Sequence, residues 1–181
     1  TISAVTPAGT AGAVNVAVTT AGGTDTETGG FTYNPPTLPT LTINDATFSE
    51  SDTGTLSVPF TISLSSPAGA GGVTFDIATA DGTATAGEDY QAKSIVGAAI
   101  APGESTYVFS VDVYGDTTHE TTETFFVNIT NLTGATAGDV QGLGTIVNDD
   151  PVPTITLAPA SLSATTVGAS NSETLTASGG T

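Results

Sequence analysis

Short runs in which apolar residues occupy every second position recur along the chain, and they constrain its fold more than any other feature. The clearest runs carry apolar side chains at Val73, Phe75 and Ile77, at Phe109, Val111 and Val113, and at Val127 and Ile129. Because successive side chains of a strand point to opposite faces, this two-residue period is typical of strands with one buried face. No stretch shows the 3.6-residue period of an amphipathic helix, so the sequence predicts an all-β fold.

Turn-forming residues separate these runs at short intervals. Examples are Asp81-Gly82, Pro102-Gly103 and Gly138-Asp139. Short strands punctuated by Gly, Pro and Asp are typical of sandwiches of two packed sheets. The sequence therefore predicts a β-sandwich.

Two proline-rich joints divide the chain, one within residues 34–39 and the other at Pro151-Val152-Pro153. Proline cannot donate to the interior of a sheet and favours extended connections. We therefore expect three parts: a partial β segment with its linker over 1–38, a sandwich over 39–150, and a linker with further strands over 151–181. Both flanks are too short to form complete sandwiches.

The charge composition excludes several classes of function. Eighteen Asp and Glu residues face a single basic residue, Lys93, for a formal net charge of −17, and Cys is absent. Without a basic surface the chain cannot neutralise phosphates, so we expect no nucleic-acid binding. No apolar run is long enough to span a membrane, so we expect no membrane insertion. Without Cys there is no disulfide, thiolate nucleophile or zinc–thiolate site.

Composition also suggests where the protein acts. The chain is rich in acids, Thr, Gly and Ser and poor in Lys, as are bacterial surface and secreted repeat proteins, so we expect an extracellular or cell-surface location. The chain does not begin with Met, and its first residues lack the pattern of a signal peptide. We therefore interpret it as part of a longer protein.

Fifteen of the eighteen acids lie between Asp45 and Asp150, and several stand at predicted strand ends. Because loops after alternate antiparallel strands gather at one end of a sandwich, six of them are expected to converge there: Glu50, Asp89, Asp116, Glu120, Asp149 and Asp150. A like-charge pair at about 4 Å costs on the order of 4 kcal/mol at an effective dielectric of 20, and protein cations cannot offset it. Oxygen-only ligands in this number suit Ca²⁺. The alternative is a solvated surface that opposes aggregation, since the EF-hand pattern is absent.

Four motifs in order resemble the Calx-β domain over residues 41–150. They are Phe48-Ser49-Glu50 followed by Gly54-Thr55, the segment DGTATAGEDY at 81–90, the segment ETTETFFVNI at 120–129, and the closing GTIVNDD at 144–150. The family is a seven-stranded immunoglobulin-like β-sandwich, found as a Ca²⁺ sensor in sodium–calcium exchangers, in integrins, and in arrays in bacterial surface proteins. The resemblance implies an immunoglobulin-like antiparallel β-sandwich of about seven strands.

In members that bind Ca²⁺, the ions lie at one pole of the sandwich. Position by position, the resemblance implies the same six ligands, namely Glu50, Asp89, Asp116, Glu120, Asp149 and Asp150. The chain departs from the family where Gly115 and Asn148 replace frequent acids, although Asn148 still offers an oxygen. We therefore expect one or two ions. Asp81 is expected to cap its turn and Glu123 to start a strand.

The flanks resemble other immunoglobulin-like modules. Residues 2–33 look like the C-terminal half of an IPT/TIG domain, and residues 153–181 look like the first strands of a bacterial Ig-like repeat. An incomplete sandwich leaves strand edges unpaired. The tail of one copy could then complete the head of the next and build a filament by strand complementation.

We expect no catalytic activity, because His119 is the only His and no Trp offers a sugar platform. The expected function is a Ca²⁺-binding structural or adhesive module of a large extracellular bacterial repeat protein. Two alternatives stay open: a filament subunit, and an accessory binding module of a secreted enzyme. The expected partners are neighbouring Ig-like domains or identical subunits, and a cell-surface or matrix ligand.

Overall fold

The computed structural model describes residues 12–33, 37–158, 166–168, 170 and 172–179, and the regular elements within them are all β-strands. In chain order they are β1 (Gly12–Thr20), β2 (Gly23–Tyr33), β3 (Thr40–Ile43), β4 (Ala46–Ser49), β5 (Gly54–Leu64), β6 (Val73–Asp81), β7 (Ser94–Ile100), β8 (Thr106–Gly115), β9 (Glu123–Thr133), β10 (Thr136–Ala137), β11 (Gln141–Val147), β12 (Thr156–Ala158) and β13 (Thr176–Ser178). The all-β prediction is confirmed.

Strands β3 to β11 form the predicted sandwich. One sheet has the order β10-β3-β5-β8 and the other has the order β4-β11-β9-β6-β7. Most neighbours are antiparallel, but β10 runs parallel to β3 and β4 runs parallel to β11. With β3 and β4 counted as one strand and the two-residue β10 set aside, the sandwich has the seven strands expected of an immunoglobulin-like fold.

The first strand of the sandwich passes from one sheet to the other. Its first part, β3, pairs with β5, whereas its second part, β4, pairs with β11. At the crossing, the Asn44 side-chain oxygen accepts a hydrogen bond from the Thr61 backbone at 2.5 Å, and the Asp45 carboxylate accepts one from Leu143 at 2.7 Å. These side chains take the place of strand partners, which is why the strand can change sheets here.

The core lies between the two sheets and follows the predicted alternation. In β6, Val73, Phe75 and Ile77 are buried, and in β8 Val108 points outward while Phe109 is buried. At the centre the two sheets meet through an edge-to-face contact between Phe60 and Phe125, with ring centroids 5.8 Å apart. Fully burying one such side chain contributes about 1.5–3 kcal/mol to folding.

The flanks form two small antiparallel sheets of their own, β1 with β2 and β12 with β13. The division at residues 38/39 and 150/151 stays a prediction. Residues 2–11 of the IPT/TIG resemblance lie outside the described part of the chain, and so do Asn34, Pro35 and Pro36 of the first joint. Within the described residues, no helix is long and apolar enough to cross a membrane.

Candidate metal centre

Strand register brings the ends of several strands to one pole of the sandwich. The first residue of β5 pairs with the last residue of β8, and the end of β4 pairs with the end of β11. The start of β9 pairs with the ends of both β11 and β6. Nine acids lie here on or beside these strand ends, and we call them the acidic pole: Glu50, Asp52, Glu88, Asp89, Asp116, Glu120, Glu123, Asp149 and Asp150. All six predicted ligand residues are among them.

Three carboxylates of the pole form a first group, the Glu50 group, which comprises Glu50, Asp149 and Asp150. One oxygen from each lies within 4.8 Å of the other two. Because Val147 pairs in parallel with Ser49, the two segments that follow these residues leave the sheet side by side. The backbone N–H of Glu50 donates to the Val147 carbonyl at 3.3 Å. The backbone therefore fixes how these carboxylates approach one another.

Two members of this group are buried. The side chains of Glu50 and Asp150 are only 8% and 7% exposed, while Asp149 is exposed. The Oδ2 atom of Asp150 is inaccessible and has no hydrogen-bond partner. An unpartnered buried carboxylate oxygen is costly, so this atom is suited to accept a cation.

A second group, the Glu120 group, comprises Asp89, Glu120 and Glu123. One oxygen from each again lies within 4.8 Å of the others, and all three residues are half-buried. Glu120 belongs to the loop between β8 and β9, Glu123 begins β9, and Asp89 belongs to the loop between β6 and β7. Asp89 is held by its Oδ2, which accepts the Thr85 backbone N–H at 2.6 Å.

Asp116 is the one predicted ligand that belongs to neither three-residue group. Its charge nevertheless acts on both, since it raises the pKa of Glu50, Glu120 and Asp150. Its Oδ1 accepts the Thr118 backbone N–H at 2.6 Å, which shapes the start of the loop. Asp116 therefore lies close enough to influence the members of both groups.

Burial and mutual repulsion make these acids hard to ionise. Burial, followed by the charges of Glu120 and Asp116, raises the pKa of Glu50 from its ordinary 4.5 to about 7. Burial and the neighbouring Asp89, through its charge and a side-chain hydrogen bond, raise the pKa of Glu123 to about 7. The pKa values of Glu120 and Asp150 are also raised, with burial again the largest cause.

The one basic side chain, Lys93, is committed elsewhere. Its Nζ donates to the Ser110 carbonyl at 2.6 Å, in the interior of β8, and lies 5.1 Å from the centroid of the Phe109 ring. His119 does reach the pole, and its charge partly offsets the raised pKa of Asp150. Repulsion among the acids is thus met mainly by proton uptake or by an external cation.

Asn148 links the two groups. Its Oδ1 accepts the Glu120 backbone N–H at 2.9 Å, and its Nδ2 donates to the Asp150 carbonyl at 2.9 Å. The same Nδ2 lies 3.1 Å from His119 Nδ1, which is itself 3.0 Å from the Asp150 carbonyl. The Asn148 side-chain oxygen, which was a possible ion ligand from sequence, therefore accepts a hydrogen bond from the Glu120 backbone instead.

Asp81 caps its turn, as the sequence analysis expected. Its Oδ1 accepts the Ala86 backbone N–H at 3.0 Å and the Tyr90 hydroxyl at 2.5 Å. The buried Tyr90 ring stacks on Phe125 with centroids 4.5 Å apart. These contacts anchor Tyr90 in the hydrophobic core, and so they help to position the preceding residue, Asp89, which belongs to the Glu120 group.

Gly115, directly before Asp116, leaves no room for a side chain. A Cβ added here would lie 1.9 Å from the Ser51 carbonyl oxygen, and 2.8 Å from its carbon. The segment that follows Glu50 therefore packs directly on the Gly115 backbone. No side chain fits at this position unless the backbone of residues 51–53 moves.

Sequence reasoning missed two contributors. Glu123 does begin β9, as expected, but its carboxylate also joins the Glu120 group. Asp52 was not considered, yet its charge is the second-largest cause of the raised pKa of Asp150. The sequence does contain a signal for Glu123: it lies three residues after Glu120, at the point where the loop enters β9.

The donor set consists of carboxylate oxygens, and that determines its chemistry. Hard divalent cations take such ligands, and Ca²⁺ tolerates six to eight oxygens in adaptable geometry. Zinc and copper sites usually include His or Cys, whereas the ring Nδ1 of the one His of the chain is engaged by Asn148 and Asp150. The residues present fit Ca²⁺, and the unpartnered Asp150 oxygen is the observation that supports this fit.

Comparison with known proteins agrees with the fold. The Calx-beta domain family matches residues 34–150. Among solved structures, CBD12 from CALX1.2 superposes with a TM-score of 0.55 at 19% identity, over 65% of this chain and 49% of that chain. The apo-form Calx CBD1 domain gives a TM-score of 0.51 at 20% identity, over 62% of this chain and 99% of that domain.

A third solved structure, the Calx CBD2 domain, gives a TM-score of 0.51 at 15% identity, over 61% of this chain and 86% of that domain. This chain thus spans about half of the first of these structures and nearly all of the single domains. No curated protein matches it significantly. Since the family match covers more than half of its length, the chain belongs to the Calx-beta domain family.

Proposed function

We propose that this chain is a non-catalytic Ca²⁺-binding module in which the acidic pole holds one or two ions. The single observation that carries the proposal is the burial of Glu50 and Asp150 against each other, with the Oδ2 atom of Asp150 unpartnered. Two acids buried together are strongly unfavourable when ionised, because each loses hydration and repels the other. A divalent cation between them turns that arrangement into a favourable one.

The choice of ion follows from the ligands. One ion would take oxygens from Glu50, Asp149 and Asp150, and a second would take oxygens from Asp89, Glu120 and Glu123. Mg²⁺ demands near-ideal octahedral geometry and keeps several of its waters. A site crowded with carboxylates therefore favours Ca²⁺. One solved structure with a similar fold is described as the calcium binding domain CBD12 of CALX1.1, which supports the same choice.

The role of the ion would be structural. Asp149 and Asp150 directly precede Pro151, where the chain leaves the sandwich. An ion held by them ties that exit to the pole and stiffens the connection to whatever follows. In the extracellular bacterial repeat protein that the composition suggests, such stiffening would serve mechanical or adhesive contact with neighbouring Ig-like domains and with a surface or matrix ligand.

A filament subunit is the second candidate. The observation that favours it is the exposure of apolar side chains on the small flanking sheets, with Val16 and Val18 in β1 and Leu157 in β12 each more than 40% exposed. Apolar side chains beside strand edges are templates for pairing with a second copy. Electron micrographs of the concentrated chain distinguish the two candidates, since only the second requires fibres. Glycan binding that is indifferent to Ca²⁺ would favour the accessory module of a secreted enzyme.

Thermal unfolding of the full chain tests the first proposal. Binding to the folded state alone stabilises it by about 2.7 kcal/mol when Ca²⁺ exceeds its Kd a hundredfold. We expect the midpoint to rise with Ca²⁺ and to rise much less with equal Mg²⁺. Asp150→Asn should abolish most of the Ca²⁺ effect, while Glu104→Gln, an exposed acid in the turn before β8, should keep it. Equal shifts in both variants would refute the proposal.

A further inference from the structure

We propose that Asn148 is a positioning residue that couples the two carboxylate groups, so that an ion bound at the Glu50 group prepares the Glu120 group for the next ion. This inference rests on the proposed Ca²⁺ function and adds to it a mechanism of regulation. It concerns a residue that does not offer its own oxygen to an ion.

The side chain of Asn148 contacts one backbone group in each of the two segments that carry ligands. Its amide oxygen holds the Glu120 N–H at 2.9 Å, and its amide nitrogen holds the Asp150 carbonyl at 2.9 Å. An amide can make both bonds because it carries an acceptor and two donors. A carboxylate here would keep the first bond and repel the second partner.

Apart from Asn148, two connections join these segments: the sheet, and the His119 ring, whose Nδ1 lies 3.0 Å from the Asp150 carbonyl. Glu120 lies in the loop over residues 116–122, between β8 and β9, whereas Asp150 follows β11. The nearest ladder pairing between these strands is Ile146 with Glu123. Beyond that pair, the bonds of Asn148, together with the neighbouring His119, connect the loop to residues 148–150.

Coupling follows from conformational entropy. An ion at the Glu50 group fixes residues 149 and 150, and with them the carbonyl that Asn148 holds. Asn148 then fixes the backbone of Glu120 before the second ion arrives, and that ion no longer meets the cost of ordering the loop. The charges of Glu50 and Glu120 also interact directly, so that an ion at one group affects the other. That electrostatic contribution does not depend on the side chain of Asn148.

Calorimetric titration with Ca²⁺, combined with amide hydrogen exchange of the metal-free full chain, tests the inference. Asn148→Ala is expected to lower the ratio of the second to the first binding constant about tenfold, which corresponds to about 1.4 kcal/mol. The Glu120 amide should also exchange faster in this variant, without any metal. Gln141→Ala is the control, because it removes a side-chain hydrogen bond to Asn128 at the far end of β11. It should change neither the ratio of binding constants nor the exchange rate of the Glu120 amide.

The outcomes separate the two proposals. If the wild-type chain takes up no Ca²⁺, the proposed function and the coupling fail together. If it binds two ions but Asn148→Ala leaves their ratio unchanged, only the coupling is overturned. Should Asn148→Ala fold poorly, Asn148→Asp replaces it: it keeps the acceptor for Glu120, so protection of that amide must persist while the ratio of constants still falls. Loss of protection in Asn148→Asp, or an unchanged ratio, overturns the coupling.

Discussion

The carboxylates of Glu50 and Asp150 lie within 4.8 Å of each other, although both side chains are more than nine-tenths buried. Glu50 directly follows β4, which pairs in parallel with β11, and Asp150 is the third residue after β11. The register of β4 against β11 thus brings together the two segments that carry these acids. The fold therefore holds a charge arrangement that an ion or a proton has to relieve.

The metal-free chain should lose stability as pH rises from about 4.5 to about 7. The pKa of Glu50 and that of Glu123 are each raised from 4.5 to about 7 in the folded chain. The folded state thus keeps protons that the unfolded chain releases, and their contribution is complete below about pH 4.5 and is lost through pH 7. With a chelator present, the unfolding midpoint should be higher at pH 5 than at pH 8. A midpoint that rises with pH would contradict the raised pKa values.

Glu50→Gln should act with opposite signs in the two conditions. At pH 8 with a chelator, it removes a buried charge and should stabilise the fold by about 3 kcal/mol, since the pKa of Glu50 is raised from 4.5 to about 7 and each pKa unit corresponds to about 1.4 kcal/mol. With excess Ca²⁺, the same variant should be less stable than the wild type because a ligand is lost. Chemical denaturation in both conditions measures this. The idea fails if the two effects share one sign.

Gly115→Asp should destabilise the sandwich by about 3 kcal/mol or more, even though it adds a further acid beside Asp116. Its Cβ would overlap the Ser51 carbonyl oxygen, so the backbone must shift. Gly71→Asp is the matched control, because a Cβ there meets nothing within 4 Å. Urea unfolding compares the two variants, and equal free energies of unfolding would mean that the 51–53 segment is free to move.

Much of this fold could be predicted from sequence, because its signals are local. The two-residue period identified the buried faces of β6, β8 and β9, and the antiparallel arrangement of strands predicted that loops carrying Glu50, Glu120 and Asp150 would meet. Both inferences need only the alternation of side chains and the position of turns. They do not depend on the detailed path of any one strand.

The remainder depends on contacts between distant residues. The change of sheet after β3 relies on the side chains of Asn44 and Asp45 bonding to Thr61 and Leu143, and no local pattern reveals those partners. Similarly, the orientation of Glu123 toward Asp89 follows from the register of β9 against β6 and β11. A strand-start residue gives no sequence signal for the direction in which its carboxylate points.

Tyr90→Phe should cost about 1–2 kcal/mol of folding free energy. The variant keeps the ring stacked on Phe125 but removes the buried hydroxyl that donates to Asp81 at 2.5 Å, and a hydrogen bond to a charged group is worth about 1.5–3 kcal/mol. A double-mutant cycle with Asp81→Asn isolates the pair, and we expect a coupling energy above 1 kcal/mol. Simple additivity of the two substitutions would mean that the bond contributes nothing.

Calorimetric titration of Ca²⁺ into the full metal-free chain at pH 7.5 shows directly whether the acidic pole binds this ion. We expect saturable uptake of one or two ions, and we expect Asp150→Asn to bind at least tenfold more weakly while Glu104→Gln binds normally. A titration without binding heat in several buffers, or one that Asp150→Asn leaves unchanged, would contradict the account.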